Sequence, residues 1–237
     1  MEIKVVFNND VINNSFCSGW GFSCLVDGSI LFDTGEKAQY LFNNAGLMGI
    51  DISAVEAIVI SHDHWDHTGG LWDLLKKRKS LPVYSCPGFS REFKNKVVKA
   101  GGILKEANEF VQVAENIYVT GEIAGWYKGS YMPEQALVVK TDSGLTLITG
   151  CSHPGILRII ERVKEEFSGE VIKLAFGGFH LMDKDKREIR LIVEKLIDMG
   201  VKNVGPTHCT GYEAQMVFKQ NYGDNYISVK AGQMFGV

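Results

Sequence analysis

The chain has 237 residues, of which 45% are hydrophobic and 22% charged, as in ordinary globular proteins. The net charge of -3 argues against nucleic acid or an acidic membrane surface as a partner. The densest basic run, KKRK at 76–79, follows a predicted helix, where cations suit the helix C-terminus. Because no apolar stretch approaches the roughly 20 residues of a membrane span, a membrane partner is also not expected.

The N-terminal sequence MEIKVVFNND has too short an apolar run and too early a charge for a secretory signal. The five cysteines are scattered, without the spacing of a zinc ribbon or of a small disulfide-bonded domain. We therefore expect reduced thiols in a cytoplasmic protein. No linker, repeat or low-complexity run divides the chain, so we expect one domain over residues 1–237, with the oligomeric state left open.

Strands and helices alternate along the first part of the chain. The turn Asp27-Gly28 joins two predicted strands as a hairpin, and the apolar run 55–60 is typical of a strand buried on both faces. Apolar residues at helical spacing predict the helices. The predicted elements before residue 82 are strands 2–7, 22–26, 30–33 and 55–60 and helices 36–48 and 70–77.

The middle, from 82 to about 133, is less regular, with short strand-like runs at 82–85, 110–113 and 117–120. The last part returns to regular alternation. Its predicted elements are strands 136–141, 145–149, 171–176, 201–204 and 226–229 and helices 154–167, 184–199 and 212–222. Strands and helices in both halves suit two packed sheets with helices outside.

The six histidines are placed where chemistry is expected. Three lie in SHDHWDH, directly after the buried strand 55–60. The others, His153, His180 and His208, each lie close behind a predicted strand, and loops at strand ends are where ligands and catalytic groups gather. Any one of these three alone would more simply be a satisfied core or surface residue. The whole distribution predicts a metal site.

The spacing within the first cluster has a physical logic. In an extended segment His62 and His64 point the same way. Where the chain then turns into a helix, Asp66 and His67 point to a second position, next to the one that His62 and His64 face. Two adjacent ligand sets suit two divalent metal ions about 3.5–4 Å apart. Imidazole and carboxylate ligands suit Zn²⁺, Mn²⁺ or Fe²⁺, with zinc the first expectation.

At these residues the chain resembles the metallo-β-lactamase superfamily. SHDHWDHTGG is similar to its HxHxDH signature, ILFDTG to its early Asp-Thr-Gly turn, GCSHPGI to its third metal-binding motif and PTHCTG to its last histidine motif. The resemblance implies an α+β fold, a four-layer αββα sandwich, and six metal ligands. These are His62, His64 and His153 for the first metal and Asp66, His67 and His208 for the second.

One position departs from the family pattern. The superfamily usually places a bridging Asp after the strand that follows the third motif, and here that place reads FGGFHL, with His180. His180 is then a terminal ligand, a proton donor to a leaving group, or a contact for an anionic substrate. Asp183 could supply the carboxylate, although its place at a predicted helix start favours capping.

Other residues near the motifs can be interpreted as functional or as structural. Asp33 either hydrogen-bonds the backbone or a metal-binding histidine, or is a plain turn residue. Pro154 fits the first position of a helix whose free amides either hold an anionic substrate group or simply start the helix. Cys151 and Cys209 are predicted as small packing residues near the site.

The Gly-hinged stretch 121–135 carries the aromatic residues Trp126, Tyr127 and Tyr131. Such aromatics either stack on a flat ring such as a pterin and close over the site, or pin the loop to the body.

The resemblance narrows further. EQALVVKTDSGLTLITGCSHPGI, FGGFHL and PTHCTG are similar to a branch of metal-dependent hydrolases related to the dihydropterin ribofuranosylaminobenzene phosphate synthases. We predict a metal-dependent hydrolase that uses a metal-activated hydroxide on an ester, phosphoester or similar small-molecule substrate. Asp66 would position the water and His180 would protonate the leaving group.

Three other functions are known or conceivable for such a ligand set. The first is a transferase that joins a dihydropterin-methyl diphosphate to a ribofuranosylaminobenzene phosphate. The diiron flavoproteins of this fold usually have a glutamate where His64 stands, so a redox role is not expected. A sensor role would leave the ligand set idle.

Overall fold

The computed structural model describes residues 1–237 and contains fifteen strands and seven α-helices. The strands are β1 (Glu2–Phe7), β2 (Ser23–Val26), β3 (Ile30–Phe32), β4 (Ala57–Val59), β5 (Pro82–Ser85), β6 (Ile103–Glu106), β7 (Val111–Ala114), β8 (Ile117–Val119), β9 (Trp126–Tyr127), β10 (Ser130–Tyr131), β11 (Leu137–Thr141), β12 (Gly144–Thr149), β13 (Ile172–Gly178), β14 (Asn203–Thr207) and β15 (Met234–Gly236). The helices are α1 (Ala38–Leu47), α2 (Trp65–Thr68), α3 (Leu71–Lys77), α4 (Arg91–Ala100), α5 (Ile156–Glu166), α6 (Lys186–Asp198) and α7 (Tyr212–Tyr222). None of these helices is long and apolar enough to cross a membrane.

The strands form two large sheets and one small hairpin. The first sheet has the order β15-β1-β2-β3-β4-β5-β6 and the second β14-β13-β12-β11-β8-β7, while β9 pairs only with β10. Strands β3 to β6 are parallel to one another, as are β12, β13 and β14. The remaining pairs are antiparallel, including the predicted pairing of β11 with β12, whose register joins Thr141 to Gly144.

Successive side chains of each strand point to opposite faces of its sheet, which gives the fold its layers. Ile30 and Phe32 of β3 point into a core shared by the two sheets, whereas Leu31 between them packs in a second core with residues of α1, α3 and α4. In β11, Leu137 faces the shared core and Val138 faces a third core with α5, α6 and α7. Because side chains of a strand alternate between faces, each sheet is buried on both sides. The predicted four-layer αββα sandwich is confirmed.

The parallel segments end at one edge of the sandwich, where the chain turns into loops. Asp33 follows β3, His62 follows β4, and His153 follows β12. His180 follows β13 and His208 follows β14. The placement of histidines behind strands, predicted from the sequence, therefore brings them to one edge of the fold.

Several parts of the predicted secondary structure were wrong, and strands β6, β9 and β10 were not predicted. Helix α4 was missed because only Phe93 and Val97 of its ten residues are buried, which leaves a weak periodic signal. The predicted strand 226–229 is reduced to a single bridge between Tyr226 and Val204, and the last strand is β15, which pairs with β1. The carbonyl of Val229 instead accepts a hydrogen bond from the Asn8 side chain.

Two helix starts also differ from prediction. Asp185 caps α6, since its side chain accepts a hydrogen bond from the Glu188 N–H, and Asp183 is an exposed residue of the preceding turn. Helix α5 begins at Ile156 after Gly155 in a positive-φ conformation, so Pro154 lies in the turn before the helix. The expectation that Pro154 is the first helical residue is therefore wrong.

Candidate metal centre

The first ligand set comprises His62, His64 and His153, each of which places a ring nitrogen within 4.8 Å of the others. The Nε2 of His62 lies 3.1 Å from the Nδ1 of His64. Both ring nitrogens of His153 are buried without a hydrogen-bond partner. Burial, together with the neighbouring His180 and His64, lowers the pKa of His153 to about 2. Neutral imidazoles with free lone pairs are the form that binds a metal.

The second ligand set comprises Asp66, His67 and His208, all buried. The Nε2 atoms of His67 and His208 are 3.3 Å apart. The Oδ2 of Asp66 lies 3.4 Å from the first of these nitrogens and 3.2 Å from the second. Although burial opposes ionisation, His67 and His208 hold the pKa of the Asp66 carboxyl below its usual range.

The donor atoms of both sets fit a divalent cation. Zinc bonds of about 2.0–2.2 Å to nitrogen and oxygen place the ligand atoms of a tetrahedral site about 3.3–3.6 Å apart. The three distances in the second set lie between 3.2 and 3.4 Å. In the first set, the unpartnered nitrogens of His153 are polar groups that folding would not bury without a ligand.

A single carboxylate orients one histidine of each set. Asp33, fully buried behind β3, accepts hydrogen bonds of 2.7 Å from the Ser61 N–H, from the Ser61 hydroxyl and from the His67 Nδ1. Because Ser61 gives its only proton to Asp33, its oxygen accepts from the Nδ1 of His62 at 2.9 Å. The Nε2 atoms of His62 and His67 are thereby left facing the ligand sets. Of the two interpretations of Asp33, the structure supports hydrogen bonding to a histidine.

Asp33→Asn should weaken metal binding by about 10–100-fold, because an amide nitrogen cannot accept the proton of His67 and the ring loses its orientation. Competition with a chelator measures the affinity. The exposed turn variant Asp142→Asn is the matched control and should bind metal as the wild type does. Unchanged affinity in Asp33→Asn would contradict the role assigned to this carboxylate.

A second buried carboxylate, Glu134, shapes the loop after β12. Its Oε1 accepts from the backbone N–H groups of Cys151 and Ser152, and its Oε2 accepts from that of His153, each at 2.8 Å. Burial raises the pKa of Glu134 to about 7, while these three donors favour the ionised form. Three bonds to consecutive amides fix the direction in which His153 leaves the strand.

Glu134→Gln should lower the free energy of unfolding by about 1–3 kcal/mol, because the amide presents its own N–H₂ to a backbone donor and leaves it unpaired. It should also weaken metal binding, since His153 loses its fixed position. Chemical denaturation and metal titration measure the two effects. Glu115→Gln, at an exposed position, should change neither; equal behaviour of the two variants would refute the assignment.

His180 lies beside the first set. Its ring is 4.4 Å from that of His153, and its Nδ1 is buried without a partner. It also forms a possible metal-binding group with Cys151 and His153. The Cys209 thiol raises the pKa of His180, although burial opposes this. The structure thus places His180 at the centre and keeps its three predicted roles open.

The aromatic stretch forms the β9–β10 hairpin over the first set. The Tyr127 ring lies 5.1 Å from the rings of both His64 and His153. Trp126 is 59% exposed and packs edge-on against Tyr131 at 5.7 Å. Tyr127 therefore pins the hairpin to the histidines, whereas Trp126 remains open to solvent beside a cleft of about 430 Å³ that His153 and His180 also line.

The backbone at this edge is strained. Asp33, Ser152, His180 and His208 all have φ between 51° and 64°, the left-handed region that disfavours residues other than glycine. Such conformations persist only where the surrounding structure enforces them, and they cluster at functional sites.

The structure brings all six predicted ligands and His180 to one place, and leaves Asp183 outside it. Sequence reasoning missed the roles of Ser61 and Glu134. Ser61 had a signal, because it is a polar residue at the end of a buried strand beside the first motif. Glu134 had none, because the amides that it binds lie 17 to 19 residues away.

Comparison with known proteins agrees with this fold. The family model of the metallo-β-lactamase superfamily matches residues 23–211. The chain belongs to that superfamily.

Particular relatives can be named. The 7,8-dihydropterin-6-methyl-4-(β-D-ribofuranosyl)-aminobenzene-5'-phosphate synthase of Methanocaldococcus jannaschii is 27% identical, over 94% of this chain and 91% of that protein. A crystal structure described as a metal-dependent hydrolase of the β-lactamase superfamily is 32% identical, with a TM-score of 0.84 over 100% of this chain and 99% of that one. Zinc-bound PqqB of Methylobacterium extorquens shares the fold at 12% identity, with a TM-score of 0.63 and full coverage of both chains.

Proposed function

We propose that the protein is a metal-dependent hydrolase that acts on a small anionic ester, phosphoester or similar electrophile. The observation that carries this proposal is the convergence of two adjacent ligand sets at the wall of an open cleft. A pair of divalent cations bound there would lower the pKa of coordinated water to about 7 and neutralise charge that develops on the substrate.

Residues of the chain would hold the two cations, orient the attacking water and protonate the leaving group. His62, His64 and His153 would hold one cation, and Asp66, His67 and His208 the other. Asp66, kept ionised by its histidine neighbours, would also accept a hydrogen bond from the attacking water and orient it. His180 lies at the cleft, where it can give a proton to the leaving group.

The cleft indicates the class of substrate. Arg158 and Lys184 line it together with Trp126, and its volume of about 430 Å³ suits a small molecule. Glu188 pairs with Lys184 at 2.7 Å, so Arg158 is the cation at the cleft without a carboxylate partner. One cation beside the two metals favours a substrate with a phosphate or carboxylate group.

Asp66→Ala should lose about one bound metal per chain and reduce hydrolysis by at least ~10²-fold, because it removes both a ligand and the group that orients water. Elemental analysis and assays with phosphomonoesters, phosphodiesters, diphosphates and lactones measure this. Asp63→Ala is the matched control, since Asp63 belongs to the same motif but binds the Ser90 N–H. Full metal content and activity in Asp66→Ala would exclude the mechanism.

A pterin transferase is the second candidate, favoured by the named M. jannaschii relative and by the exposed Trp126 at the cleft. A pterin ring stacked on this indole should quench its fluorescence. Titration with a dihydropterin should therefore quench the wild type and a Trp65→Phe control, whereas Trp126→Phe should lose the quenching. Equal quenching in both variants, or none in the wild type, would count against a pterin at this position.

A further inference from the structure

Cys151 lies where the second ligand set lacks a fourth ligand. It is buried two residues after the end of β12, and its Sγ is 3.4 Å from the Nε2 of His67, the nitrogen that faces the set. Its sulfur and the donor atoms of Asp66, His67 and His208 all lie within 4.8 Å of one another. Packing alone, the role that the sequence predicts for Cys151, does not require its sulfur to lie beside these three donor atoms.

The distance from the Cys151 sulfur to the His67 nitrogen is close to that between two ligands on one ion. A zinc–sulfur bond of about 2.3 Å and a zinc–nitrogen bond of about 2.0–2.1 Å place the two atoms about 3.6 Å apart in a tetrahedral site. The sulfur of Cys151 is 3.4 Å from the His67 nitrogen, close to this value. The donor atoms of Asp66 and His208 lie within 4.8 Å of this sulfur, so one cation could contact all four side chains.

The segment around Cys151 packs closely against Gly178, the last residue of β13. A Cβ added to Gly178 would collide with the carbonyl oxygen of Gly150, and would lie 2.7 Å from the Sγ of Cys209 and 3.1 Å from the Cα of Cys151. A side chain at Gly178 would therefore require the segment around Cys151 to shift.

We propose that the Cys151 thiolate is the fourth ligand of the metal held by Asp66, His67 and His208. The proposal rests on the two-metal centre of the proposed function. The thiol releases its proton to solvent as the sulfur binds the cation. Four protein ligands would close this position, whereas His62, His64 and His153 would leave the other cation able to take water and substrate.

Cys209 provides a matched control. It is equally buried and adjacent, since its Sγ lies 3.5 Å from the carbonyl oxygen of Cys151. It belongs to none of the groups of side chains that converge on a possible metal position. A spectroscopic signal that belongs to Cys151 should therefore survive the loss of Cys209.

The test uses the full chain loaded with Co²⁺, whose bond to a thiolate gives an intense charge-transfer absorption in the near ultraviolet. The wild type and Cys209→Ala should show this band and about two metals per chain. Cys151→Ala and Cys151→Ser should lose the band, and their metal content should fall to about one per chain. A band retained in both Cys151 variants, or lost in Cys209→Ala alone, would overturn the proposal.

X-ray absorption of the zinc-loaded wild type decides the question even if the Cys151 variants fail to fold. A sulfur neighbour at about 2.3 Å is expected. Two bound zinc ions surrounded only by nitrogen and oxygen would overturn the role of Cys151 but leave the proposed function standing. A wild type that binds no metal would overturn both.

Discussion

The buried carboxylate of Asp33 is the constraint on which the candidate centre depends. It binds His67 directly and His62 through the hydroxyl of Ser61, so one group sets the tautomer of a histidine in each ligand set. Its own position is fixed, because the backbone carbonyl of Asp33 accepts a hydrogen bond from the hydroxyl of Ser23. The relative placement of the two sets thus follows from how β3 lies against its neighbours in the first sheet.

The hydrophobic cores of the sandwich stabilise a fold whose site contains several unfavourable features. Strained backbone at His180 and His208, unpartnered nitrogens on His153 and a fully buried Glu134 are each unfavourable to folding. Three hydrophobic cores, one between the sheets and one under each layer of helices, hold the strands that end at this edge. Functional groups are therefore concentrated in loops whose ends are fixed by rigid parallel strands.

Most of the fold and the location of the site could be predicted from the sequence, because both are recorded in local patterns. Apolar periodicity gave the strands and helices on either side of the middle region, and the histidines follow strand ends. The features that were missed either leave a weak local pattern, as helix α4 does, or depend on partners distant in the chain. The ten-residue helix α4 buries few residues, β15 pairs with β1 across nearly the whole chain, and Glu134 binds amides beyond the next hairpin. The position of Cys151 against His67 likewise appears only once the two sheets are packed.

Anomalous diffraction from crystals of the metal-loaded protein would show whether the two ligand sets hold two cations, because it locates each bound ion without reference to activity. We expect two peaks about 3.5–4 Å apart. One should lie among His62, His64 and His153, and the other among Asp66, His67 and His208. A single peak, or peaks away from these side chains, would contradict this expectation.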